Sequence, residues 1–195
     1  MASSAPDRLS PRAHEIVEAA RALLEEEGLD ALSMRALADR LGIRAPSLYK
    51  HFADKQDLEA ALISDGFVEQ ARAFEKAGKS GDPLRAIALA YRAFARRRPH
   101  LYRLMTERPL QRERLAPGAE ARAARALIDA VGGDPDLARA AFGFAHGMAN
   151  LELNDRFPPG ADIDAAWERG LEAFRSVSAA ASASPRSTAP SRTGR

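Results

Sequence analysis

Four side chains able to donate hydrogen bonds, Ser47, Tyr49, Lys50 and His51, fall within five consecutive positions of the chain. Such groups donate to phosphate oxygens or base edges, and a tyrosine ring can also pack on the sugar backbone. The chemistry they suit is recognition of a nucleic acid, with no bond made or broken. Reaction chemistry has no comparable grouping. His14, His51, His100 and His146 form no pair at i, i+3 or i, i+4 spacing. The chain has no G-x-S-x-G, no phosphate-cradling glycine loop and no H-E-x-x-H. Without cysteine, disulfides, thiolate chemistry and the usual zinc-finger ligand sets are excluded. The expectation is a protein that is no enzyme and needs no metal or cofactor.

These side chains depend for their placement on the stretch Ser33–Lys55, SMRALADRLGIRAPSLYKHFADK. Ser33 suits a helix N-cap, and Met34, Leu37, Ala38 and Leu41 recur at helical spacing. Gly42 stands where helices commonly end in a left-handed residue. Pro46 suits the first turn of a second helix, expected over 46–52, with Leu48 and Phe52 on its inner face. Asp54 is placed to cap a third. A helix of under two turns is not stable alone and must be held by its neighbours. Two short helices joined by a glycine turn match the geometry in which the second helix enters a DNA major groove. An ordinary helical hairpin with a polar outside has the same pattern.

The segment LGIRAPSLYKHFADKQDLEAAL carries more. It resembles the DNA-binding segment of the TetR family of transcriptional regulators, with every fixed position of L-G-[IV]-x-x-x-[ST]-L-Y-x-H-F-x-x-K present. The resemblance implies that Arg35 and residues 44–50 lie near base edges, and that Tyr49, His51 and Lys55 meet phosphates. The implied DNA-contact set is Ser33, Arg35, Arg44, Ala45, Pro46, Ser47, Tyr49, Lys50, His51 and Lys55. Ala45 departs from members that read bases at this position, since it offers only a methyl contact, for example to thymine. Base reading then leans on Arg35, Arg44, Ser47 and Lys50.

Composition agrees without deciding the matter. Apolar residues make up 46% of 195, enough for a real core. No apolar run approaches the ~18 residues that span a bilayer, and the N-terminus lacks the apolar stretch of a signal peptide. A cytoplasmic protein without membrane contact is expected. The net charge is only +2, but Arg35, Arg40, Arg44, Lys50 and Lys55 face Asp39 and Asp54, a local excess of three positive charges. That placement favours phosphate.

Along the chain, residues 1–9 read as a disordered arm and 10–54 as a three-helix head. The acidic run Glu25–Glu27 reads as a solvated face. Residues 55–179 form a C-terminal helical domain, opening with a long helix to about Lys76 and closing with helices over 135–154 and 163–177. The last is expected to turn Ala166, Trp167, Leu171 and Phe174 inward. Residues 107–118, rich in arginine, read as a mobile connection, and 180–195 as a disordered tail. PHLYRLM and FGFAHGMANLEL resemble a WHG-type ligand-binding domain found in TetR-like regulators. The fold class is all-α, a helix-turn-helix head on a helical effector-binding and dimerisation domain.

Phe67, Phe74, Tyr91, Phe94, Tyr102, Met105, Phe142 and Met148 are candidates for lining an apolar pocket, although helical spacing suits plain core equally. His146 and Asn150, one turn apart, are the candidate polar groups there. Two broadly apolar late helices suggest a homodimer, which the family builds as a four-helix bundle. The resemblance thus implies a dimeric repressor on a palindromic double-stranded operator, released by a small-molecule effector. A DNA-binding protein without effector, or a helical carrier or enzyme using the C-terminal cavity, are the alternatives.

Overall fold

The computed structural model describes residues 9–183, with side chains through residue 180. The helices are α1 (Pro11–Glu27), α2 (Met34–Arg40), α3 (Ala45–Leu48), α4 (Lys55–Ala77), α5 (Pro83–Arg97), α6 (Pro99–Thr106), α7 (Ala119–Ala130), α8 (Pro135–Leu153) and α9 (Ile163–Ala183). No strand occurs among the described residues. Nor is any described helix long and apolar enough to cross a membrane.

Serine and aspartate start most of these helices. Ser10, Ser33, Asp54, Asp82 and Asp134 each accept a hydrogen bond from an amide of the following first turn. Such a cap satisfies one of the four donors that a helix start leaves open. The cap at Asp54 is reinforced, because Asp57 returns a carboxylate oxygen to the amide of Ala53 at 3.2 Å.

The head closes on aliphatic side chains of α1 to α3. Ile16, Ala20, Leu24, Leu32, Leu37 and Leu48 are buried, with Phe52 beneath the end of α3. Gly42 has φ +64°, and Ile43 donates to the Ala38 carbonyl at 3.0 Å, so the predicted left-handed helix end is present. The second helix is shorter than expected over 46–52. Helical structure covers Ala45–Leu48, and Tyr49–His51 continue as a turn in which His51 and Phe52 both donate to the Leu48 carbonyl. Two buried side chains, Leu48 and Phe52, fix this segment, and so short a helix has little hydrogen bonding to hold a full second turn.

Helix α4 is the axis of the C-terminal domain and packs against α5, α6 and α7. Gly66 allows the closest approach: a Cβ there would lie 2.5 Å from the Met105 sulfur of α6. Helices α5, α8 and α9 meet at Trp167, which is fully buried. Its indole N–H donates to Glu152 at 2.5 Å, Arg92 lies over its ring, and Arg92 also pairs with Glu152 and Asp164. The buried row of α8 consists of Ala138, Ala141, Ala145 and Ala149, while Phe142 and Leu151 are exposed. On α9, Trp167 and Leu171 are buried as expected and Phe174 is half-buried, but Ala166 faces outward. Ala166 lies next to Trp167, about 100° further round the helix, which carries it off the packed stripe.

Three other expectations give way. Of the run Glu25–Glu27, Glu26 and Glu27 are exposed as expected, Glu26 in a two-pronged pair with Arg40, but Glu25 is half-buried and accepts from the Leu101 amide at the start of α6. Those carboxylates oppose their own helix dipole, yet Glu25 suits the N-terminus of α6. Residues 107–118 are pinned, with a 3-10 turn at Arg112–Arg114. Arg112 pairs with Glu120, Arg114 with Asp54 and Asp57, and the Ala116 amide donates to the Ser64 hydroxyl at 2.9 Å. Helix α9 continues to Ala183, past the expected tail start at 180, through the alanine-rich SVSAAASA, a good helix sequence. The remainder of the tail, and residues 1–8 of the arm, lie outside the described residues.

Candidate nucleic-acid interface and internal cavity

Helices α2 and α3, with the residues flanking α3, carry most of the candidate DNA contacts. Arg35, Arg44, Pro46, Tyr49, Lys50 and His51 are all exposed, and Tyr49 is 53% exposed although aromatic. Ala45 and Ser47 are half-buried at the start of α3. Ser33 is engaged as the α2 cap, accepting from the Ala36 amide at 3.1 Å, which leaves its hydroxyl proton free to donate elsewhere. Lys55 opens α4 and lies 3.5 Å from Glu59, one turn on. Arg40, counted in the local positive excess, is held by Glu26 and neutralised. Of the ten residues of the sequence-derived set, six are exposed and four half-buried, with Leu48 and Phe52 buried in the segment that carries most of them. Burial of these two side chains fixes the short helix and its donors as one rigid unit.

A cavity of about 480 Å³ lies among α4, α5, α7 and α8 and the loop after α6. Of the ten candidate pocket residues, Phe67, Phe74, Tyr91, Met105, Phe142 and His146 are in its wall. Phe94, Tyr102, Met148 and Asn150 are not. Phe94 and Tyr102 are core, at 1% exposure each, and Asn150 accepts from the Asn154 side chain. Tyr102 nonetheless shapes the wall from behind. Its hydroxyl lies 2.7 Å from His146 Nδ1, against 3.4 Å for Tyr91. Burial pushes both phenols up from their ordinary range, so each keeps its proton to donate.

Sequence patterns did not single out the wall that α7 supplies, Ala123, Leu127 and Ile128, or the polar residues Gln70, Thr106, Arg108, Arg112, Glu120 and Arg139. The available signal was Gln70, a polar residue on a helix position otherwise reserved for apolar side chains. A smaller hollow of about 360 Å³ lies between the start of α4 and the loop Arg108–Leu115.

Comparison with known proteins bears on both regions. Residues 16–62 match the family described as "Bacterial regulatory proteins, tetR family", and residues 84–174 match "Tetracyclin repressor-like, C-terminal domain". The second match contains both stretches that resemble a WHG-type domain. The chain is 34% identical over 119 residues to an uncharacterized HTH-type transcriptional regulator, Rv0681, of Mycobacterium tuberculosis. That alignment takes in 60% of this chain and 55% of the relative, so the chain spans little more than half the length of that protein. A protein of unknown function from Rhodococcus sp. RHA1 superposes with a TM-score of 0.71 at 26% identity, covering 88% of this chain and 97% of the other. A TetR variant from Acinetobacter baumannii AYE in complex with minocycline gives 0.62 at 26% identity, covering 91% and 100%. With a helix-turn-helix head and a helical C-terminal domain each matched by its own family description, the chain belongs to the TetR family of bacterial regulatory proteins.

Proposed function

We propose that the protein is a sequence-specific DNA-binding transcriptional regulator, a homodimeric repressor of a palindromic operator that a small molecule releases. The single observation that carries the DNA half is the exposed set Arg35, Arg44, Tyr49, Lys50 and His51 on a rigidly buried Leu48–Phe52 base. The dimer half is supported by α8, where Gly143 and Gly147, with open space beside them, fall on one stripe with the exposed Leu151. An exposed apolar strip of this kind suits a second copy.

In a dimer the two α3 helices must sit about one DNA turn apart, ~34 Å, or a multiple of it. Helix α4 links that spacing to the cavity. Its N-cap Asp54 adjoins the head, while Phe67, Gln70 and Phe74 on the same helix line the cavity. A ligand shifts DNA affinity only to the extent that it binds one head spacing better than the other. That a protein of this fold was solved in complex with minocycline supports a small-molecule ligand.

Selection from random double-stranded DNA, with wild type and a Tyr49→Ala, Lys50→Ala variant side by side, tests the reading. The expected outcome is an enriched palindrome that the variant loses while keeping its helical circular dichroism. No enriched motif from the wild type at low salt would overturn it.

A further inference from the structure

Aromatic residues aside, two polar side chains are buried among the described residues, Ser64 and Gln70, both on α4. They are treated in opposite ways. Ser64 is fully partnered: its hydroxyl donates to the Ala60 carbonyl at 2.8 Å and accepts from the Ala116 amide at 2.9 Å. Gln70 is 5% exposed and in the cavity wall, and no hydrogen bond within the described residues reaches its carboxamide. The side-chain atoms closed off without any partner are Arg21 Nε and Arg98 Nε, so the Gln70 carboxamide, with two donors and a carbonyl oxygen, keeps access at the cavity wall. The neighbouring polar groups do not compensate. The Thr106 hydroxyl is committed to the Tyr102 carbonyl at 2.7 Å, and the His146 Nδ1 is occupied by Tyr102.

We propose that Gln70 is the polar anchor of the cavity. The molecule it takes is mainly apolar and ring-bearing, with a carboxamide, lactam or imide at its inner end. Such a group sets a donor beside an acceptor and pairs with the glutamine amide in two parallel hydrogen bonds. The rest of the molecule lies against Phe67, Phe74, Tyr91 and Phe142, whose rings prefer offset or edge contacts with another ring. Ion pairs hold the outer rim, Arg112 with Glu120 and Arg139 with Asp136. One ring nitrogen of His146 is also open in the wall, but only the Gln70 carboxamide sets a donor beside an acceptor, so discrimination of an amide falls to it. The inference rests on the effector reading of the cavity.

A matched series tests it: 2-ethylnaphthalene, 2-acetylnaphthalene and 2-naphthamide, which offer no hydrogen bond, an acceptor only, and a donor with an acceptor. Titration calorimetry of the full chain should rank them in that order, with the amide at least about tenfold tighter than the hydrocarbon. Gln70→Leu should bind the hydrocarbon at least as well and lose the ranking. In the wild type, the side-chain amide resonance of Gln70, identified by its absence in the variant, should shift with 2-naphthamide and not with 2-ethylnaphthalene. Equal affinity for all three in the wild type would overturn the anchor and leave the effector reading standing, whether or not the variant folds. Binding of none of the three by a protein that still selects its DNA motif would overturn both.

Discussion

The head and the C-terminal domain are built from the same kinds of helix but completed differently. In the head, Ile16, Leu24, Leu32, Leu37 and Leu48 fill the interior, and the polar side chains of α3 face out. In the C-terminal domain the inward row of α8 is alanine, larger apolar groups remain exposed, and a cavity of about 480 Å³ adjoins the core. A filled core has one arrangement, which suits a surface that must meet phosphates and bases at fixed spacing. A domain with a cavity and close, small-residue contacts has room for more than one arrangement. The contrast teaches that similar helices can close on a filled interior or leave space within it, according to the size of the inward side chains.

The largest expected effect breaks the filled half. Leu48 is wholly buried under the recognition segment, and Leu48→Ala should cost ~2–5 kcal/mol in a urea titration. Operator binding should be lost with it. A cost near that of a surface change would mean that the head is not filled as described. A smaller effect sharpens the other half. A Cβ at Gly170 on α9 would lie 2.1 Å from the Phe144 ring of α8. Gly170→Ala should therefore destabilise by ~1–3 kcal/mol, and Phe144→Leu in the same chain should recover part of it. No loss in the single variant would show that α8 and α9 separate freely.

The smallest effect concerns the joint between the halves. Burial alone would raise Glu69 on α4, but Arg21 of α1, together with Arg97 and Arg98, outweighs it and holds the carboxyl below its ordinary value of 4.5. A carboxylate lowered on folding contributes stability that is complete above 4.5 and is lost as pH falls through its folded value. Glu69→Gln should accordingly melt lower than wild type at pH 7 and show a shallower decline between pH 5 and pH 3. Parallel melting curves across that range would show that the Arg21 contact contributes nothing.

The head was legible in the sequence because local rules decide it. Ser33, Gly42, Leu48 and Asp54 each do what a capping, turning or burying residue does, within a stretch of about twenty positions. The extent of α3 was less so, since its boundary depends on what Leu48 and Phe52 pack against. Six of the ten candidate cavity residues line the wall, because an apolar stripe shows which face turns inward but not whether the space there is filled. Phe94 shares the α5 stripe of Tyr91, and Tyr102 is on the apolar side of α6, yet both lie in solid core. Long-range partners were invisible for the same reason. Nothing near Glu25 in the chain indicates that it caps a helix 76 residues away, and the arginines of 107–118 find carboxylates on α4 and α7. Charge runs read as solvent-facing until the neighbouring element is known.

Trp167 is the chain's one tryptophan, and it sits where α5, α8 and α9 meet, with Glu152 on its N–H and Arg92 over its face. All indole fluorescence therefore originates from a single site, in the half of the molecule that holds the cavity. A dry, charged neighbourhood makes emission wavelength sensitive to small displacements of either side chain. The molecule thus carries its own optical gauge, one that follows motion between these three helices without an attached dye and is blind to events confined to the head.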